Sequence, residues 1–135
     1  MKPWLRYVVA TIVAGHGFIY VNFSLGRLPD ALKDWRGTSW LLRGTVTGER
    51  LKTLAFAVHA VAGIAILAFS IAVALAPAAP RLWRPLAIIS SSIAILAFAA
   101  FWDGQTERLV QQGVIGTVLS LLLLLSAIAF PRAFD

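Results

Sequence analysis

Four long stretches of this chain, residues 7–25, 53–76, 86–102 and 109–130, contain no Asp, Glu, Lys or Arg. Each is roughly 17–25 residues, the length that crosses ~30 Å of hydrocarbon at ~1.5 Å per residue. Lipid offers the backbone no hydrogen-bond partner, so a segment that crosses it must satisfy its own N–H and C=O groups, and a helix does so internally. The pattern predicts an all-α integral membrane protein. Its expected form is a single domain over residues 1–135, a left-handed, up-down-up-down four-helix bundle.

Composition agrees with that expectation. Apolar residues make up 59% of the chain and charged residues 13%, about half the share usual in soluble domains. The net charge of +6 would suggest nucleic acid in a soluble protein. Here the basic residues flank the apolar stretches, where lipid phosphates are the natural counter-ions, so the expected partner is the bilayer and not nucleic acid. Lys2 and Arg6 precede the first stretch as they would a secretory signal. The absence of a small-x-small cleavage pattern, and Asn22, Phe23 and Leu25 at its end, favour a retained helix. With no cysteine in the chain, disulfides, thiolate metal sites and catalytic thiols are excluded.

Four spans put both termini on one side of the membrane. That side concentrates Lys2, Arg6, Arg81, Arg84 and Arg132 into short segments, whereas a bare count of Lys and Arg slightly favours the opposite side. Weight given to the first helix, with Lys2 and Arg6 at its start, places both termini in the cytoplasm of a cell bounded by this inner, plasma membrane. In the first loop, LPDALKDWRG has Pro29 near a helix start, Gly37 as a stop, and Leu28, Leu32 and Trp35 on one face. An amphipathic helix lying in the interface is expected there, with Trp40, Leu41 and Leu42 continuing the contact. It would serve as an interfacial belt or as a lid over the bundle. The second loop is short and rich in proline, with Pro85 suited to the first turn of the third helix.

Depth then orders the polar residues. His16 is at the midpoint of the first stretch, with Tyr20 and Asn22 ~6 and ~9 Å beyond it toward the first loop. His59 lies ~8 Å from the midpoint of the second stretch in the same direction. Asp103 follows the third stretch there, and Gln111 and Gln112 open the fourth. An ionisable residue inside a membrane normally faces the bundle interior or a wet cavity. A polar pocket in one half of the bilayer is therefore expected, lined by His16, Tyr20, Asn22, His59, Asp103 and Gln112. Each histidine alone is as well explained by a structural hydrogen bond. Gly113, Gly116 and Ser120 form a stripe suited to close helix packing, within the chain or in a homo-oligomer. Gly15 and Gly17 either bring helices together or leave room beside His16.

Several functions fit such a pocket. The leading one is non-catalytic: binding of a hydrophobic small molecule or lipid, or support of a larger membrane complex. A small transporter or channel is the alternative, though no span carries the carboxylate that proton-coupled exporters use. A haem or transition-metal site would use His16 and His59 as ligands. An enzyme would use His16, His59 and Asp103 as acid, base and orienter, but no nucleophile motif, HExxH helix or phosphate loop accompanies them.

RYVVATIVAGHGFIYVNFSLG, with its His-Gly pair, resembles the opening of DoxX-like four-helix membrane proteins. FWDGQTERLVQQGVIGTVLSLLLLL is similar to a segment of bacterial four-span proteins of like length. The resemblance implies a four-span layout and a membrane-associated redox or quinone-related role. It carries a suggestion of function to His16 and Gly17 and to no other residue.

Overall fold

The computed structural model describes residues 3–25, 37–78, 81–109 and 113–130. Among these are four α-helices and no strand: α1 (Pro3–Ser24), α2 (Gly48–Ala74), α3 (Trp83–Phe101) and α4 (Val114–Ala129), with a 3-10 turn at Thr106–Arg108 before α4. The amphipathic helix expected in LPDALKDWRG falls outside the described residues.

α1, α2 and α3 are each long and apolar enough to cross a membrane. α2, at 27 residues, is ~40 Å long, more than the ~30 Å of hydrocarbon it would cross. The excess is its N-terminal end, where Glu49, Arg50 and Lys52 sit. Glu49 lies in the first turn, where a carboxylate suits the positive end of the helix dipole, and it pairs with Lys52 at 2.8 Å. α3 opens at Trp83, so Pro85 falls in the first turn, where its missing N–H costs nothing. α4 has 16 residues, ~24 Å. Gly113 precedes it with a φ of +97°, a left-handed conformation that separates the helix from the preceding Thr106–Arg108 turn.

Packing is the reverse of a soluble bundle. The interior is built largely from small residues, with Ala55, Ala62, Ala94, Ser90, Ser91 and Ser120 all at most 1% exposed. Phe69, Ile66 and Trp83 fill what these leave. Large aliphatic side chains point outward, Ile64 at 63% and Leu96 at 66% exposure near the middles of α2 and α3. Lipid tails solvate such side chains as well as a core would, so helices in lipid associate through small residues and close backbone approach.

The α1–α2 crossing illustrates that approach. A Cβ on Gly63 would lie 2.9 Å from the Val21 backbone nitrogen and 3.0 Å from the Gly17 carbonyl oxygen. One on Gly17 would meet the Gly63 carbonyl at 3.1 Å. Contacts between the helices fall in reverse chain order: the Ser70 hydroxyl donates to the Ala10 carbonyl at 2.8 Å, Gly17 meets Gly63, and the Phe23 ring meets Phe56.

At one end of the bundle the first loop closes over α3. The last carbonyls of a helix have no intrahelical partner. On α3 they are met from the loop: the Trp40 indole donates to Ala99 O at 2.5 Å, the Ser39 hydroxyl to Ala100 O, and the Trp40 backbone N–H to Trp102 O at 2.9 Å. The Ser39 oxygen also accepts from the Leu42 N–H at 2.9 Å. Beneath the loop, Leu51, Ala55 and Phe101 form a second apolar cluster. At the other end, Arg84 Nε donates to the Ala127 carbonyl at 3.1 Å, which places a cation at the negative end of α4.

Candidate functional site

Three of the six expected site residues meet in one cluster. Positions 16 and 20 are one helical turn apart on α1, and the His16 and Tyr20 rings pack edge to face at 5.1 Å. Tyr20 then stacks on His59 of α2, with centroids 5.6 Å apart and planes 24° apart. His59 also contacts Phe23 at 4.5 Å and Phe101 of α3 at 5.8 Å. From α4, Ser120 Oγ lies 3.0 Å from His16 Nε2. Gly116 makes the room, since a Cβ there would stand 3.0 Å from His16 Cε1. The cluster touches all four helices.

Each histidine has one ring nitrogen hydrogen-bonded within the bundle. A serine hydroxyl can donate or accept, so the His16–Ser120 pair is complete in either imidazole tautomer. His59 Nδ1 donates to Ala55 O at 2.7 Å, one turn back on its own helix. Tyr20 is the ring that both histidines touch. Two axial imidazoles on one iron must face each other across it, and with the Tyr20 ring packed against both histidines and Nε2 of His16 turned to Ser120, this pair does not fit that arrangement. Among the described residues no group of three or more His, Asp or Glu side chains is placed to hold a metal ion.

Of the other expected residues, Asn22 and Asp103 stand apart from this cluster. Asn22 turns back on α1 and donates to the Phe18 carbonyl at 2.8 Å. Asp103 Oδ1 accepts the Gln105 N–H at 2.9 Å in the turn after α3. Gln112 lies outside the described residues. Depth arithmetic put the two histidines in the same half of the membrane, but it gave no face for Asn22, whose side chain follows its own helix.

A cleft of about 710 Å³ lies at the loop end of the bundle. It is bounded by the first loop, the start of α2 and the turn after α3, with Arg43, Thr47, Leu51, Asp103 and Gln105 on its walls. Neither histidine nor Tyr20 lines it. Gly44 and Gly104, both at a φ of +86°, bend its backbone walls in a way that side-chain-bearing residues resist. Arg43 and the donors Ser39 and Trp40 escaped the sequence reading as site residues. A loop side chain that bonds to a distant backbone carbonyl leaves no pattern in the sequence. In the sequence that segment reads only as an interfacial contact through Trp40, Leu41 and Leu42.

Comparison with protein-family models, with curated proteins and with solved structures gives no match.

Proposed function

We propose that the protein is a small, non-catalytic membrane protein that holds a lipid or other hydrophobic small molecule in the cleft at the loop end of its bundle. One observation carries this reading. The walls that carry Arg43, Thr47, Asp103 and Gln105 adjoin an apolar floor at Leu51, beside the ends of the long apolar helices. A concave site with an apolar base and a few convergent polar groups is the usual anatomy of a ligand pocket. The cluster of His16, Tyr20 and His59 then serves as interhelical glue, and the ligand sits nearer the membrane surface.

The same reading takes the chain as four spans in up-down-up-down order, with α4 as a short fourth span. The exposed Leu122, Leu125 and Ile128 support it, and a helix shorter than the local hydrocarbon is accommodated by bilayer thinning or flanking anchors. Residence in the inner membrane with cytoplasmic termini belongs to this proposal, as does the DoxX-like resemblance around His16 and Gly17.

Two experiments test it. Because the chain has no cysteine, single cysteines at Thr45 and Ala78 can be labelled without background; reagents applied from opposite sides should reach them. For the ligand, native mass spectrometry of protein released from mild detergent should show a retained small molecule. Thr47→Trp, which fills the cleft, should reduce retention, and His59→Phe should leave it intact. The opposite pattern would move the site to the histidine cluster.

A further inference from the structure

We infer that the end of the bundle opposite the cleft binds an anionic phospholipid, with the Arg84 guanidinium on its phosphate. Contacts bring four helix ends together here. Ser70, toward the end of α2, meets Ala10 of α1, and Arg84 at the start of α3 meets Ala127 at the end of α4. Ala10, Ala76, Trp83 and Ala127 belong to one buried cluster. Two helices begin at this end and two finish, so their dipoles offset one another and the side chains set the local charge. The described residues here carry Arg6, Arg81 and Arg84 and no carboxylate. The described carboxylates, Glu49, Asp103 and Glu107, all lie at the loop end. The whole sequence keeps that sign, since Lys2 and Arg132 add to the three arginines and Asp135 is the single acid in the segments flanking them.

Arg84 differs from its neighbours in being held across two helices. Its Nε donates to the Ala127 carbonyl at 3.1 Å, which fixes the side chain over the α3–α4 junction. The residue is exposed and has no other partner among the described residues. Its terminal nitrogens are the pair that grips phosphate oxygens bidentately. Arg6 is engaged otherwise, with its guanidinium 4.9 Å from the centre of the Tyr7 ring and bonded to the Tyr7 hydroxyl at 3.2 Å. Arg81 is exposed and makes no anchoring bond among the described residues.

The charge of the ligand and its source follow from this setting. A zwitterionic headgroup would bring its own cation among these arginines, where no described carboxylate receives it. An anionic headgroup brings the phosphate without that cation. Leu82 and Phe130, close in sequence to Arg84 and Ala127, are exposed and give acyl chains an apolar surface. Trp4 and Tyr7 of α1 are exposed at the same end, and such rings mark headgroup depth. Basic sites between spanning helices recur as binding places for anionic headgroups. The phosphate therefore comes from the bilayer. This inference rests on the membrane reading of the apolar helices and not on the cleft.

The test is native mass spectrometry of the full chain in mild detergent, with phosphatidylglycerol and phosphatidylcholine of matched acyl chains, and with inorganic phosphate as competitor. Phosphatidylglycerol should be retained roughly tenfold over phosphatidylcholine, a ratio that one charge-assisted phosphate contact supports. Arg84→Gln should remove most of that preference. Arg84→Lys keeps the charge but lacks the fork, and should lose the preference as well. Arg81→Gln removes an equal charge from the same end and should leave most of it. Equal retention of the two lipids by the parent chain, or an unchanged preference in Arg84→Gln, would overturn the site. Equal losses in Arg81→Gln and Arg84→Gln, or none in Arg84→Lys, would overturn the guanidinium as the recognising group. Should Arg84→Gln misfold, the parent ranking, Arg84→Lys and Arg81→Gln decide. Loss of the preference in Thr47→Trp, which fills the cleft, would place the anionic lipid there instead. Displacement by inorganic phosphate at equal concentration would overturn the bilayer as the source.

Discussion

His16 on α1 and Ser120 on α4 stand 104 positions apart in the chain and 3.0 Å apart in space, both buried. Their hydrogen bond ties the first helix to the last, and Gly116 leaves the gap into which the imidazole fits. Hydrogen bonds between helices in lipid contribute about 0.6 kcal/mol on average and up to about 1.7. Ser120→Ala should therefore lower stability by about 1 kcal/mol, read from thermal or chemical unfolding in detergent. Gly116→Leu should cost more, since its side chain must displace the ring. Equal stability in both variants would show that the α1–α4 contact is held by something other than this pair.

The glycine pair at the α1–α2 crossing makes a sharper prediction. Gly63→Ala puts a methyl against the Val21 backbone nitrogen and the Gly17 carbonyl, neither of which can swing aside, so the helices must separate. A loss of about 1–3 kcal/mol is expected, as for other overpacked sites. Gly15→Ala is the control: nothing lies within 4 Å of its Cβ position. There the usual preference of a helix for alanine, about 0.5–1 kcal/mol, should show as a gain in stability.

The loop over α3 predicts a local effect rather than a global one. Trp40→Phe keeps an aromatic ring beside Trp102 but removes the donor to Ala99 O. Ser39→Ala removes a donor to Ala100 O and an acceptor for the Leu42 N–H. Each should cost about 1 kcal/mol. Hydrogen–deuterium exchange should quicken in residues 39–46 and at the last turn of α3, with the α1–α2 crossing unaffected.

Outward-facing aliphatic residues supply a test of the membrane assignment itself. Ile64→Arg and Leu96→Arg put a charge near the middle of a long apolar helix, which raises the apparent insertion cost by about 2.5–3.5 kcal/mol. Both variants should insert poorly in a glycosylation-based insertion assay. Arg50→Leu, in the first turn of α2, should insert as well as the parent chain.

Much of the helical frame was legible in the sequence, because a run of residues without charge at membrane-spanning length has few other fates. Thr53 to Ala74 reads directly as part of α2. The run cannot say where a helix begins beyond it, and α2 starts earlier, at Gly48, because its charged first turn needs no lipid. The meeting of His16, Tyr20 and His59 was half legible. Depth along a helix comes from counting residues, but the ring stacked on His59, and the hydroxyl that answers His16, depend on how four helices rotate against one another. Asn22 shows the same limit from the other side: its depth matched the histidines, and its amide nevertheless bonds back to Phe18. The cleft was the least legible part. Its walls come from three segments whose polar residues have no common spacing, and of these Asp103 alone had been singled out.

The contacts that hold residues 39–42 against the end of α3 also impose an order of events during synthesis. Ser39 and Trp40 leave the ribosome well before Ala99, Ala100 and Trp102, whose carbonyls they must find. Until the third helix has emerged and come to rest beside the second, this loop has a sequence but no destination. Closure of that end of the bundle is therefore a late step of biogenesis, and a chain halted before Phe98 would present the loop's donors, unanswered, to the membrane surface.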